Sequence, residues 1–137
     1  MLTIRYVQPE DKEFWFRIDR FMPEQEFDHK VRSGRGYVLL LDNTPIGLMR
    51  YNLFWDHIPF CNLLFLEDAY RRKGYGRQLM ERWEAAMKAQ GYHRVMTSTQ
   101  ADEGAQHFYR KLGYRDCGGF VLETQDPMEL ILTKVLK

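Results

Sequence analysis

The chain is poor in cysteine, in long apolar runs and in excess charge, and each shortage closes off a class of protein. Its 2 cysteines, Cys61 and Cys117, are too few for a disulfide framework and fit a reducing cytoplasmic compartment. No apolar run approaches the roughly 18 residues of a membrane span. Met1 to Glu10 holds no signal-peptide pattern, because Arg5, Glu10 and then Asp11 interrupt it. A formal net charge of +1 removes bulk attraction to nucleic acid or anionic lipid, so any basic patch is local. His29, His57, His93 and His107 show no Cys/His spacing that would bind zinc. Repeats, low-complexity tracts and dividing linkers are also missing.

What is present is an ordinary globular mixture. Hydrophobic residues make up 45% and charged residues 28% of 137 positions, enough for one domain, 1–137, to close a core without staples. "LTIRYVQ" alternates as a strand and stops at Pro9, and "EDKEFWFRIDRFM" has helical spacing. Pro23 opens a second helix through "EQEFDHKVRS". "YVLLLD" and "PIGLMRYNLFW" form a hairpin about "DNTP". "CNLLFLED" is an almost unbroken apolar run, which predicts a strand buried on both faces.

A helix follows from Gly74 to Gly91, with Leu79, Trp83, Ala86 and Met87 on one face and Gly91 as its C′ stop. "HRVMTST" is a strand, and "DEGAQHFYRKLGY" is a short helix stopped by Gly113. "YRDCGGFVLE" and "MELILTKVL" finish as an antiparallel pair. This order predicts a mixed α/β fold with a central, partly antiparallel sheet and helices on its faces.

"RRKGYGRQLM" is the unusual stretch. A helix N-terminus exposes N–H groups and partial positive charge and favours acids, yet here it receives Arg71, Arg72, Lys73 and Arg77. Gly74 and Gly76 permit a tight turn and close approach to the backbone, so a phosphate is the natural partner. The arrangement is not a Walker loop, because no Lys-Ser/Thr follows either glycine. Nor is it a dinucleotide fingerprint, whose third glycine would fall on Leu79. A nucleic-acid reading has this cluster alone in its favour.

Arg71-x-x-Gly74-x-Gly76 after an apolar strand resembles the acyl-CoA loop of the GNAT superfamily, the acetyl-CoA-dependent N-acetyltransferases. "AQHFYRKLGY", Ala105 to Tyr114, resembles the second motif of that family in the expected order. The resemblance implies a mostly antiparallel sheet of about seven strands flanked by about four helices, split between two central parallel strands. It implies acetyl-CoA as cosubstrate, with no metal, and an amine acceptor. Leu64, Phe65 and Leu66 would hold the pantetheine arm, and Arg71, Arg72, Lys73, Gly74, Tyr75, Gly76 and Arg77 would cradle the pyrophosphate. Asp102 falls where relatives often contact the pantetheine with Asn, but it also suits a helix cap, the role preferred here.

By the same resemblance Tyr109 is the general acid, although with Ala105, Phe108 and Leu112 it would also pack a helix on a sheet. The base stays open. Thr97 stands where some relatives carry Glu, leaving Glu67, Asp68, Glu103, Asp56, His57 or a water-mediated route. The acceptor side would draw on Phe14, Trp15, Phe16, Phe21, Phe27, Tyr51, Phe54, Trp55 and Phe60, mostly as core. Tyr51, Trp55 and His57 are available for cation–π contact, and Asp28 or Asp56 for charge. The last two strands offer an edge for pairing, so the chain reads as a monomer or homodimer, without nucleic-acid or membrane partners.

Overall fold

The computed structural model describes all residues, Met1 to Lys137. In chain order the elements are β1 (Leu2–Tyr6), a 3₁₀ turn (Pro9–Asp11), α1 (Lys12–Ile18), α2 (Glu24–Ser33), β2 (Gly36–Leu41), β3 (Thr44–Phe54) and β4 (Ile58–Leu66). A second 3₁₀ turn (Asp68–Tyr70) leads to α3 (Tyr75–Ala89), β5 (Arg94–Gln100), α4 (Ala105–Lys111), β6 (Arg115–Phe120) and β7 (Glu129–Val135). The strands form a 7-stranded sheet in the order β1-β2-β3-β4-β5-β7-β6. It is mostly antiparallel, with one parallel pairing in which Phe60 meets Met96 and Cys61 meets Thr97. The terminal strands pair as the alternation predicts, but β7 sits inside and β6 at the edge, because β7 also ladders along the whole of β5.

Two compact units divide the chain. The first joins Met1–Asn52 to Leu63–Arg82. Its core sets Val38, Leu40 and Leu48, from one sheet face, against Trp15, Met22 and Phe27. β2, not β4, is the strand buried on both faces: Gly36 through Leu40 are all buried, whereas Leu63 through Leu66 are only half-buried. β4 is nearly as apolar as β2, but hydrophobic content alone does not reveal how completely a strand is covered. Gly47 on β3 marks a close passage, since a Cβ there would lie 2.6 Å from the carbonyl oxygen of Phe65.

α1 ends at Ile18, short of the helix read through Met22. Asp19 turns out of helical geometry and buries its carboxylate, which accepts from Trp15 Nε1 at 3.1 Å and Arg50 Nε at 2.6 Å. Pro23 further disfavours a helical Met22. Phe21 is consequently 89% exposed rather than in the core. Buried Lys30 on α2 donates to the Tyr51 carbonyl at 2.8 Å, and burial, then the nearby Arg50, push its ammonium pKa down.

The second unit joins Leu53–Asn62 to Trp83–Lys137. Glu84, in α3, is buried, accepting from the Tyr114 hydroxyl at 2.8 Å and Lys134 Nζ at 2.7 Å. Gly91 and Gly113 take left-handed φ of 94° and 98° and stop α3 and α4 as their positions predict. At the β3–β4 turn Trp55 is 73% exposed.

Candidate active site

The basic turn lies in the first unit, between the end of β4 and the start of α3. Arg71 is spent on building it. Its Nε donates to the Leu66 carbonyl at 2.9 Å, its Nη1 lies 2.8 Å from Asp68, and its guanidinium covers the Phe65 ring at 5.4 Å. Arg77 pairs with Glu81 along the helix at 3.6 Å. Arg72 and Lys73 are left exposed and enter no ion pair.

The backbone explains why these residues gather here. Arg72 and Gly74 both take left-handed φ, 64° and 85°. Nothing lies within 4 Å of a Cβ built on Gly74, so this glycine serves backbone conformation rather than space. Gly76 is buried in the first turn of α3, which carries no acid. Successive turn amides followed by a helix start and two unpaired cations form an anion-binding arrangement. Leu64, Phe65 and Leu66 present a half-buried apolar strand directly before it, with the Leu66 carbonyl already accepting from Arg71.

Tyr109 lies in the second unit, buried on α4 between Phe108 and Tyr114, whose rings stand edge-on at 5.2 and 5.6 Å. Burial first, and Cys61 next, push the phenol pKa well above its ordinary value; Thr97 opposes them and Glu103 adds to the rise. The group is therefore a protonated donor at neutral pH. Thr97 itself is 1% exposed and its hydroxyl donates to the Cys61 carbonyl at 3.1 Å.

Asp102 does not cap α4. The N-cap is Gly104, without a side-chain cap bond, and Asp102 is exposed in the preceding turn. The turn instead uses Glu103, whose carboxylate accepts from the Gln100 amide at 3.2 Å. Among the other carboxylates considered as bases, Glu67 faces Arg17 at 3.3 Å and Asp68 faces Arg71. His57 Nδ1 lies 2.8 Å from the Trp55 carbonyl at the hairpin tip, where Trp55 and Asp56 both have left-handed φ. Of the acceptor-side residues, Tyr51 is buried, and Asp28, Trp55, Asp56 and His57 are exposed. No His/Cys/Asp/Glu group could hold a metal, Cys61 and Cys117 form no disulfide, and no helix is long and apolar enough to cross a membrane.

The profile of the acetyltransferase (GNAT) family matches residues 3–114, a stretch that includes both the basic turn and Tyr109. The chain belongs to that family. The family's fold is the one observed: Ard1 from Thermoplasma volcanium superposes with a TM-score of 0.86 at 19% identity, over 99% of this chain and 98% of that one. The PaiA N-acetyltransferase from Thermoplasma acidophilum, in complex with coenzyme A, gives 0.75 at 18% identity, covering 98% and 99%. Arabidopsis thaliana Naa50, bound to the bisubstrate analogue CoA-Ac-MVNAL, gives 0.81 at 12% identity, covering 97% of each chain. No curated protein matches the sequence. Family membership supports acetyl transfer in general.

Proposed function

We propose that this GNAT protein transfers the acetyl group of acetyl-CoA to a primary amine by direct attack, within one complex of enzyme, donor and acceptor. The observation that carries the reading is the turn at 71–77, where left-handed Arg72 and Gly74 precede an acid-free helix start and two cations have no protein partner. The cofactor diphosphate binds the amides of residues 72 to 77, with Arg72 and Lys73 supplying charge-assisted bonds. Arg71 acts by shaping the turn. The half-buried Leu64, Phe65 and Leu66 give the pantetheine arm an apolar strand to cover.

In the reaction, the neutral amine forms a C–N bond to the thioester carbonyl carbon, and collapse of the tetrahedral intermediate breaks the C–S bond. The departing thiolate takes the Tyr109 proton, and the phenolate recovers a proton released from the acylated nitrogen, through water. An alkyl amine has a pKa near 10, so deprotonation before attack is also needed. A water route supplies it with no dedicated carboxylate assigned. The thiolate's conjugate acid resembles a cysteine with a pKa of about 8.5, below that of the buried phenol, so the proton is shared with the sulfur as the C–S bond breaks and the phenolate must be reprotonated at once. Asp102, freed from capping, is available to the pantetheine arm. The protein acts as a monomer or homodimer in the cytoplasm.

Thiol release from acetyl-CoA across small amines, lysine-bearing peptides and free peptide N-termini tests the reading. At least one class should accelerate release well above hydrolysis. Binding of coenzyme A without acceleration by any amine would instead favour an acyl-CoA-sensing module of the same fold.

A further inference from the structure

We infer that Gly47 is a positioning residue for the cofactor site. Its missing side chain lets β3 pass close enough to the end of β4 to hold the Leu66–Glu67 peptide from one side, while Arg71 holds it from the other. The inference rests on the proposed binding of the pantetheine arm along Leu64, Phe65 and Leu66, and of the diphosphate in the turn that follows. The register of β3 against β2 slips here: Leu39 faces Gly47 and Leu40 faces Pro45, so Ile46 is an extra residue, a β-bulge. The carbonyl of this bulged residue accepts from the Glu67 amide at 2.8 Å, just past the end of β4. The other half of the same peptide unit, the Leu66 carbonyl, accepts from Arg71 Nε at 2.9 Å. Arg71 leads directly into Arg72 and Gly74, whose left-handed φ shapes the anion-binding turn.

A side chain at 47 has no room. A Cβ there would lie 2.6 Å from the Phe65 carbonyl oxygen and 2.9 Å from Leu66 Cδ2, both inside the 3.0 Å that real Cβ contacts respect. The Leu66 side chain can turn away. The Phe65 carbonyl is backbone, so relief there requires the end of β4 to move. That motion carries the Leu66–Glu67 peptide with it and, through the Leu66 carbonyl, Arg71. Gly47 therefore sets both halves of the site, the strand for the pantetheine arm and the turn for the diphosphate. Gly36 is the contrasting case. A Cβ there would meet Val7 Cγ1 at 2.9 Å and Trp15 Cη2 at 3.2 Å, in the apolar core of the same unit and outside the turn.

Calorimetry of coenzyme A and of pantetheine, with melting temperatures on the same preparations, compares wild type, Gly47→Ala and Gly36→Ala. Both variants should melt below the wild type. Gly47→Ala should weaken coenzyme A and pantetheine each by about tenfold or more. Gly36→Ala should hold both ligands within about twofold of the wild type. The loss of pantetheine separates this effect from removal of the phosphate-binding cations, which spares that ligand. If Gly47→Ala binds no worse than Gly36→Ala, Gly47 is a packing requirement and the inference falls while the cofactor site stands. A loss confined to coenzyme A would also overturn it, since the strand would then be unmoved. A wild type that binds neither coenzyme A nor its acetyl ester would remove the cofactor site and this inference with it. Where Gly47→Ala is too unstable to purify, adding Leu66→Ala relieves the side-chain clash and keeps the carbonyl one. Against Leu66→Ala alone, that double variant should show the same two losses, and equal binding by the pair would overturn the inference.

Discussion

Tyr109→Phe should lower kcat by about 10²- to 10⁴-fold, the span of a positioned general acid, while leaving the affinity for coenzyme A unchanged. The separation is expected because the ring and the hydroxyl have different tasks. The ring packs between Phe108 and Tyr114, and phenylalanine preserves that packing. The hydroxyl sits where burial keeps it protonated, so the acid is loaded throughout the neutral range. Steady-state thiol release, with calorimetry of coenzyme A on the same preparation, reads both quantities. A fall in affinity without a fall in kcat would assign Tyr109 to binding, and no change in either would make it a core residue.

The largest stability loss should follow Asp19→Ala. The Asp19 side chain is fully buried, and removing it strips Arg50, whose side chain is only 15% exposed, of its counter-charge. It also leaves the Trp15 indole N–H without its acceptor. Breaking a buried pair by deleting one partner costs about 3–5 kcal/mol, a large part of the roughly 5–15 kcal/mol that holds a domain of this size together. The melting temperature should fall by about 10–20 °C. Asp19→Ala combined with Arg50→Met should recover much of that loss, because the stranded cation is gone. Thermal and denaturant unfolding of the two variants gives the comparison. A single-variant loss below about 1 kcal/mol would show that Arg50 reaches solvent on its own.

The periodic elements were legible in the sequence because period and burial agree in them. Leu79, Trp83 and Met87 recur at helical spacing and are all buried. Val95, Thr97 and Thr99 alternate and are buried likewise. The basic turn was legible because cations at a helix start contradict the helix dipole unless an anion is expected, and Arg72 and Gly74 take the left-handed geometry that such a turn uses.

What stayed hidden depends on contacts between segments distant in sequence. The early end of α1 requires Arg50, which lies far along the chain from Asp19. The partial exposure of β4 depends on what covers it, which an apolar run cannot state. Asp102 looked like a helix cap because Asp near a helix start usually is one. The helix begins later than the pattern suggested, and Gly104 takes that place. In sequence Arg71 reads like its neighbours, and only contacts made in the fold, to the Leu66 carbonyl, Asp68 and the Phe65 ring, distinguish it from Arg72 and Lys73.

Calorimetric titration of the protein with coenzyme A, repeated on a variant with Arg72 and Lys73 both changed to alanine, bears most directly on the proposed cofactor site. The wild type should bind, and the variant should bind coenzyme A at least about tenfold more weakly while pantetheine, which has no phosphate, is held equally by both. Failure of coenzyme A and its acetyl ester to bind the wild type, or an equal loss for pantetheine, would contradict the account.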